Sequence, residues 1–490
     1  MSISRKVIQS SSLLIVVRLF QRLVGLISLV ILARLLTPDD FAIVALSAMI
    51  IHFFDVLSNV GSEQYIIQKG HVSDQDLNTA WTIDILLKSG LWLLLLSLNT
   101  PIANFFQHPE LQEALFVASF ILIINACKNP GVSLFKRNLD YQQIFKLYVI
   151  QKLLSFIIVL IVAIETRSFW ALIIGDIVAS LTFTLGSYFI HNYRPKLSIA
   201  KIKAQWGFSR WLLFKGIIGY CRSQIDTFIV SKFFSSAQLG KYYLTRDIAM
   251  LPSQNILTPA IEPLLAAFKE NRHEKSLLAQ QVRFSLFVIS LITIPVALFI
   301  WNFSQPIVDT LLGEQWTTTY NLLSAMALLF FYISYVQVLE QYLVALKNVK
   351  TLFYYDLISL IFITLMLISL VSSSLEAFAI IRGLLGIITL LGLALYINST
   401  INLGLYNLLT LCLPILCAAL IASLLTSSLS KAGDMFPVIT LIKIGITYCF
   451  SFVIIYWLLI LAFQKQRDEI KRLASIIQLG KKECYRLLIK

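Results

Sequence analysis

Long apolar runs alternate with short polar breaks along the whole chain. In the stretch ILARLLTPDDFAIVAL at residues 31–46, one apolar run carries Arg34 near its end. The chain breaks over Thr37–Asp40 and restarts as a second apolar run. Such runs recur with the length of about 20 residues that crosses the ~30 Å hydrocarbon layer of a bilayer. In lipid each backbone polar group must be satisfied internally, so runs without two-residue alternation predict helices.

The pattern predicts an all-α polytopic membrane protein with about fourteen transmembrane helices. The predicted spans are 12–35, 41–61, 79–99, 113–135, 145–165, 169–190, 209–233, 239–262, 277–301, 320–346, 351–371, 376–398, 405–428 and 438–463. The first span contains Arg18 and Arg22 and lacks a small-residue cleavage site, so it is interpreted as a retained helix rather than a signal peptide.

Composition agrees with this interpretation. The chain is 58% hydrophobic and only 13% charged, with a mean hydropathy of +0.80. A soluble chain of this length would be roughly a quarter charged. No stretch is polar enough to predict a separate soluble domain.

Lys and Arg are distributed unevenly between the two sets of loops. With the N-terminus inside, the outer loops contain only Arg167 and Lys431, and the other loop cations lie on the inner side. Because Lys and Arg accumulate on the cytoplasmic side of membrane proteins, both termini are predicted to be cytoplasmic. The net charge of +14 therefore predicts contact with anionic membrane lipid rather than with nucleic acid.

An internal repeat is visible at the opening polar break. The stretch IVSKFFSSAQLGKYYL at 229–244 aligns without gaps on 31–46, with Lys232 on Arg34 and Ser235 on Thr37. Six spans separate the copies, so both halves have the same orientation, as in a parallel repeat. The predicted divisions are an N-lobe at 1–208, a C-lobe at 209–400, two extra helices at 401–463 and a basic amphipathic cytoplasmic tail at 464–490.

Several kinds of chemistry have no sequence signal. The six cysteines include no CxxC pair and the five histidines are scattered, so no metal site or disulfide is predicted. No GxxxxGK[ST] loop occurs, which argues against nucleotide hydrolysis by that route.

Cations within the spans are the main candidate binding residues, because a mid-helix Arg costs about 2.5–3.5 kcal/mol on insertion scales. The candidates are Arg18, Arg22, Lys215, Arg222 and Arg246. They could hold a diphosphate headgroup, since guanidinium and ammonium groups can replace its lost hydration. The alternative is structural: Arg222 pairs only with Asp226, Arg246 pairs with Asp247 or another helix, and Arg18 reaches toward the cytoplasm.

Carboxylates within the spans are candidates for coupling transport to H+ or Na+. We selected Asp55, Asp84 and Asp226. Lys88 lies one turn from Asp84, so a local ion pair is its alternative explanation. Asp55 has no oppositely charged residue at i±4.

Two tyrosines in the tenth span, Tyr332 and Tyr335, are candidates for contacts with sugar rings. The alternative for both is ordinary packing within the membrane.

The order and spacing of several short motifs resemble a known family. The matching elements are LARLL at 32–36 with Pro38, Asp40 and Phe41, then Ser58, Gly61, IIQK at 66–69, FKRNLDY at 135–141, GFS at 207–209, Arg222 with Asp226, LGKYYL at 239–244, Leu251–Pro252 and LLGEQW at 311–316. The chain resembles the polysaccharide-transporter branch of the MOP exporter superfamily, the Wzx-type flippases, and most of all the colanic-acid exporter group. It departs from the family where Gly is usual, at Thr37, Ala42, Ser231 and Ser235.

The resemblance implies two six-helix lobes plus two extra helices in the bacterial inner membrane. It also implies export of undecaprenyl diphosphate-linked oligosaccharide by alternating access, without a cofactor, for O-antigen, capsule or exopolysaccharide. A polysaccharide polymerase and other assembly proteins are candidate partners. The alternatives are a multidrug or peptidoglycan-precursor exporter of the same superfamily and, less favoured, a membrane glycosyltransferase or polymerase. The sequence shows no paired-carboxylate site, so we do not predict an enzyme.

Overall fold

The computed structural model describes residues 3–59, 61–138, 140–271, 273–369, 371, 374–431, 437–463, 467–472 and 475. Within those ranges the regular structure is helical and no strand occurs. The helices are α1 Ile3–Leu35, α2 Pro38–Ser58, α3 Ser62–Gln68, α4 Asp74–Phe106, α5 Glu110–Ala126, α6 Val132–Arg137, α7 Gln142–Thr166, α8 Trp170–Ile190, α9 Ile202–Phe233, α10 Ser236–Pro252, a π-helix Ser253–Leu257, α11 Thr258–Ile261, α12 Leu264–Glu270, α13 Lys275–Asn302, α14 Ser304–Leu311, a 3-10 helix Glu314–Thr319, α15 Tyr320–Ala345, α16 Val349–Ser369, α17 Leu375–Ile401, α18 Leu405–Lys431 and α19 Pro437–Phe463.

Among the described residues, eleven helices are long and apolar enough to cross a membrane. The all-α polytopic prediction is therefore confirmed, whereas the count of fourteen stays a prediction. The three predicted spans that are not among these eleven correspond to α5, α9 and α10. Helices α5 and α10 have only 17 residues each, and α9 carries several charges.

One predicted span has the wrong extent, and a second contains a π-helical turn. The span at 113–135 ends as a helix at Ala126 and is followed by the separate short helix α6. The span at 239–262 is divided into α10, the π-helix and α11, because Pro252 and Pro259 interrupt regular backbone bonding.

The chain packs as two compact units. The first contains the residues up to 247, Leu311–Gln315 and Val349–Phe378, and the second contains Ile248–Thr310, Trp316–Asn348 and the residues from 379 onward. These units reflect packing, whereas the lobes at 1–208 and 209–400 were inferred from the repeat, so the lobe boundaries stay a prediction.

The two repeated turns are built in the same way. Thr37 and Asp40 form a capping box at the start of α2, where the Asp40 backbone N–H donates to Thr37 Oγ1 at 3.3 Å and the Thr37 N–H donates to Asp40 Oδ2 at 2.9 Å. Ser235 and Gln238 repeat both bonds at the start of α10, at 3.3 and 3.0 Å. Ser and Thr therefore replace the family's usual glycine as helix N-caps.

Gln315 of the LLGEQW motif caps the C-terminal end of α1, which enters the same turn from the other side. Its side-chain amide donates to the backbone carbonyl of Ala33 and, at 3.1 Å, to that of Leu36. These carbonyls belong to the last turn of α1, where no intrahelical donor is available. The motif therefore has a structural role in the first unit.

Most of the predicted tail, including Leu473, Ile476 and Ile477, lies outside the described residues. The described part at 467–472 packs onto the second unit, where Ile470 joins a buried cluster with Phe287 and Leu411. Arg283 Nε donates to Glu469 at 2.7 Å.

Candidate functional site

Arg18 and Arg22 lie on an exposed face of α1 in the first unit. The charge of Arg22 acts on both Lys152 of α7 and Asp247 of α10. A Cβ placed on Gly25 would lie 3.9 Å from Lys152 Nζ, so this face of α1 is directed toward α7. The predicted cation face therefore exists and has a third cation beside it.

Other charged side chains of the first unit surround Arg22. Asp176 of α8 interacts electrostatically with Lys152 and with His52 of α2, and Asp247 interacts with Arg22 and Arg246. The side chains of Asp176 and His52 are both exposed. We call this set the charged cluster: Arg22, His52, Lys152, Asp176, Arg246 and Asp247.

Arg222 has an interhelical partner. Its Nε lies 2.9 Å from Asp356 Oδ1 of α16, and its guanidinium lies 5.1 Å from the centroid of the Tyr355 ring. The pairing of Arg222 is therefore not confined to Asp226, as the structural alternative required. Lys215, half-buried on α9, lies one turn before Gly219, where an added Cβ would lie 3.4 Å from Asp356 Oδ2.

Asp226 is fully buried and accepts hydrogen bonds from the backbone N–H of Thr227 at 3.0 Å and the hydroxyl of Tyr242 at 2.8 Å. Arg246 Nη1 lies 3.6 Å from Asp226 and donates to Thr227 Oγ1 at 2.8 Å. Arg246 therefore contacts α9, in agreement with the structural alternative that it pairs with another helix.

Asp55 pairs with Lys88, whose Nζ donates to Asp55 Oδ1 at 3.0 Å. This bond crosses from α4 to α2, and the charge of Lys88 also acts on Asp84, its local partner in the sequence. Asp55, Asp84 and Lys88 all line a polar cavity of 480 Å³ within the first unit. Its exposed rim includes Asn59 and Glu63.

Tyr332 and Tyr335 lie in the interior of the second unit. Tyr332 is 4% exposed, and its hydroxyl accepts a hydrogen bond from Arg382 Nη2 at 2.8 Å. The Tyr335 hydroxyl lies 2.6 Å from Ser290 Oγ. Both rings thus have packing partners, and their contact with sugar stays a prediction.

No group of three or more His, Cys, Asp or Glu side chains is close enough to hold a metal ion in the part of the chain that the structure describes. When Arg18 beside Arg22 and Asp226 beside Arg246 are counted, four cations face three acids in this part of the first unit, and several of these side chains are exposed. Such a site can bind an anion while keeping each acid near a cation.

The family model for polysaccharide biosynthesis proteins matches residues 31–321. The chain belongs to this family. It is 22% identical to the succinoglycan biosynthesis transport protein ExoT of Rhizobium meliloti (strain 1021) over 300 residues, covering 61% of each sequence. It is 24% identical to the lipopolysaccharide biosynthesis protein WzxC of Escherichia coli (strain K12), covering 60% of this chain and 61% of WzxC. The matched part is thus less than two thirds of either relative.

Solved structures show the same fold. The inward closed conformation of the lipid II flippase MurJ superposes with a TM-score of 0.72 at 16% identity, covering 91% of this chain and 99% of that one. An inward-facing MATE family multidrug transporter of the MOP superfamily gives 0.58 at 15% identity, covering 79% and 98%. The resemblance to the polysaccharide family is confirmed, the chain has the fold of MOP superfamily transporters, and the protein is a multi-pass membrane protein.

Sequence reasoning left Lys152, His52 and the buried Arg382 out of its candidate sites. Lys152 and Arg382 carry the same signal that identified Arg22, a charge within an apolar span. Their significance depends on partners from distant helices, which spacing along one helix does not reveal.

Proposed function

We propose that the protein is a flippase of the bacterial inner membrane. It moves undecaprenyl diphosphate-linked oligosaccharide repeat units outward by alternating access, for synthesis of a surface polysaccharide. The proposal joins the family membership and the MurJ-like fold to the charges inside the first unit.

The charged cluster is the observation on which the proposal rests. Arg22, Lys152 and Arg246 lie within three different helices, and together with Arg18, one turn from Arg22, they outnumber the acids Asp176, Asp226 and Asp247. Each such charge costs about 2.5–3.5 kcal/mol to insert, so a function is the expected compensation. A diphosphate would supply the missing negative charge, and Arg suits it because the guanidinium fork binds two oxygens.

The orientation follows from the loop charges. The outer loops contain only Arg167 and Lys431, whereas the other loop cations lie on the side of the two termini, so we place both termini in the cytoplasm. The polar cavity, which lies where α2 ends and α4 begins, is then on the cytoplasmic half, where a lipid-linked glycan would enter.

We assign coupling, by an H+ or Na+ gradient, to Asp55 and Asp84 rather than Asp226. Asp226 is buried and accepts bonds from Tyr242 and Thr227, whereas Asp84 lines a cavity that has an exposed rim. The test is transport in vesicles after every ion gradient has been collapsed. Persistent transport would remove this role from both carboxylates.

Deletion of the gene tests the function. Lipid-linked repeat units should accumulate on the inner face of the membrane while surface polysaccharide disappears, and the wild-type gene should reverse both effects. Accumulation of peptidoglycan precursor with normal surface polysaccharide would instead favour the precursor exporter. Loss of drug resistance alone would favour the multidrug exporter.

Partners follow from the same proposal. The substrate is a lipid-linked glycan, and a polysaccharide polymerase on the outer face would receive the product. Copurification of the tagged protein with that polymerase, against a tagged unrelated membrane protein, tests the association.

A further inference from the structure

The polar cavity of the first unit has no role in the binding of a diphosphate by the charged cluster. Its 480 Å³ lies within the range of about 300–1,000 Å³ typical of sites for small ligands. Residues from α2 through α8 line it, and its rim is exposed at Asn59 and Glu63.

The charges in the cavity are balanced. Three lysines, Lys88, Lys128 and Lys136, face three acids, Asp55, Glu63 and Asp84. Two ion pairs are already formed, Lys88 with Asp55 and Lys136 with Glu63. A site with no net charge has little preference for phosphate, whereas formed ion pairs can still bond to neutral hydroxyl groups.

Amide and aromatic groups complete the lining. Asn125 and Gln151 contribute amides, and Gln151 uses one N–H on the Ala179 carbonyl at 3.1 Å, which leaves its second N–H for another acceptor. Trp81 and Tyr148 contribute aromatic surface. This mixture suits a ligand with apolar C–H faces and a rim of hydroxyls, which describes a pyranose ring.

The cavity adjoins the charged cluster along three helices. Asp55 lies three residues from His52 on α2, Tyr148 four residues from Lys152 on α7, and Ser180 four residues from Asp176 on α8. Residues at these spacings share a helix face, one turn or about 5.4 Å apart. A headgroup at the charged cluster would therefore place its first sugars beside the cavity.

We propose that this cavity binds uncharged sugar rings of the lipid-linked glycan, those next to the diphosphate. The inference rests on the proposed function for the origin of its ligand, but sugar binding can be measured independently of export. It assigns the two chemical parts of one substrate to two sites: the diphosphate to the net-positive cluster and the sugar to the neutral cavity.

Saturation-transfer NMR tests the proposal with purified protein in nanodiscs prepared without glycoside detergents. The probes are the methyl pyranosides of glucose, galactose, mannose, N-acetylglucosamine and glucuronic acid. We expect transfer to at least one uncharged pyranoside. Asn125→Leu and Gln151→Leu should each weaken its binding about tenfold, because each removes a hydrogen-bonding side chain. Gln143→Leu makes the same change at an exposed position of α7 and should leave binding unchanged.

Several results would overturn the proposal. These are no transfer to any uncharged pyranoside, equal binding by the wild type and both cavity variants, or displacement of the sugar by inorganic diphosphate. The last result would identify an anion site. Melting temperatures of each variant separate loss of binding from loss of folding, and a variant that melts early is replaced by Gln151→Met or Asn125→Ala, which also remove the amide.

Failure of this inference is distinguishable from failure of the proposed function. If the protein binds sugar but deletion of its gene causes no accumulation of lipid-linked glycan, the cavity site is supported and the flippase function is refuted. Accumulation without sugar binding would remove the cavity site alone.

Discussion

The Arg222 guanidinium on α9 lies 2.9 Å from the carboxylate of Asp356 on α16, and Asp226, one turn from Arg222, accepts a hydrogen bond from Tyr242. The Asp356 side chain is fully buried and that of Arg222 is 13% exposed. Removal of one partner from such a pair leaves an uncompensated buried charge. The ion pair therefore ties α9 to α16 within the first unit.

Arg222→Ala and Asp356→Ala should each destabilise the protein, by about 3–5 kcal/mol for a buried pair broken on one side. The double variant Arg222→Ala/Asp356→Ala should recover most of that loss, because neither charge is then left alone. The measurement is the melting temperature of the purified variants in one detergent.

The matched control is Arg222→Ala/Asp226→Ala. This pair should show no recovery, since Asp226 has its own partners in Tyr242, Thr227 and Arg246. If the melting temperature recovers in this control but not in Arg222→Ala/Asp356→Ala, the local pairing with Asp226 is supported and the interhelical pairing is refuted.

Gly240 should not tolerate a side chain. A Cβ at this position would lie 1.7 Å from the backbone carbonyl oxygen of Pro38, so the two repeated turns are in contact there. Gly240→Ala should lower the free energy of unfolding by about 1–3 kcal/mol or more, as overpacking does. Thermal unfolding and the amount of protein in the membrane both measure this.

Gly90→Ala is the control for Gly240→Ala. Gly90 also lies inside a helix, but a Cβ there would meet no heavy atom within 4 Å. Ala is favoured over Gly in a helix interior by about 1 kcal/mol. Gly90→Ala should therefore be neutral or stabilising, and equal loss in both variants would contradict the steric explanation.

The repeat could be predicted from sequence because its signal is local. Thr37 and Ser235 align without gaps, and the structure gives both the same capping box. Capping depends on residues three apart, which a sequence displays directly.

The ion pairs could not be predicted in the same way. Lys88 bonds to Asp55 and Arg222 bonds to Asp356, both on other helices, whereas the sequence indicated the local partners Asp84 and Asp226. Periodicity places charges on a face of one helix, but the partner depends on which helix packs against that face. The same limit concealed the partnership of Arg382 with Tyr332.

Lys128, in the turn after α5, should make stability depend on pH. Burial and, after it, the nearby Lys88 lower the pKa of Lys128 to about 8, with Lys136 acting in the same direction and Asp55 and Glu63 in the opposite one. The pKa of Lys in the unfolded chain is near 10.4, so between about pH 8 and 10.4 the unfolded chain binds more protons than the folded protein. Stability from this group therefore rises as pH rises from about 8 to 10.

Lys128→Met should remove this rise and be more stable than the wild type at pH 7, because it removes the cost of burying a charge. Lys146→Met replaces an exposed lysine of α7 and should match the wild type across the range. The check is the melting temperature between pH 7 and 10. A wild-type curve that parallels the Lys128→Met curve would show that Lys128 does not carry the effect.

The charged cluster makes the most direct prediction about export. Arg22→Ala and Lys152→Ala should abolish surface polysaccharide while the protein still inserts and accumulates, because each removes a cation that the diphosphate needs. Arg22→Lys should restore only part of the activity, since an ammonium keeps the charge but loses the two-oxygen fork. Lys152→Arg should retain activity, because the guanidinium still supplies the positive charge.

Lys146→Ala is the matched control on α7, where the side chain is exposed. It removes a cation from the same helix without touching the cluster, and export should remain normal. If Arg22 and Lys152 serve only to neutralise the acids, Arg22→Ala/Asp247→Ala and Lys152→Ala/Asp176→Ala should restore export, since each pair then loses both charges. If they bind the diphosphate, both double variants should stay inactive although their stability recovers, because the anion has lost its cation in every case. Normal surface polysaccharide in either double variant would assign that cation a structural role.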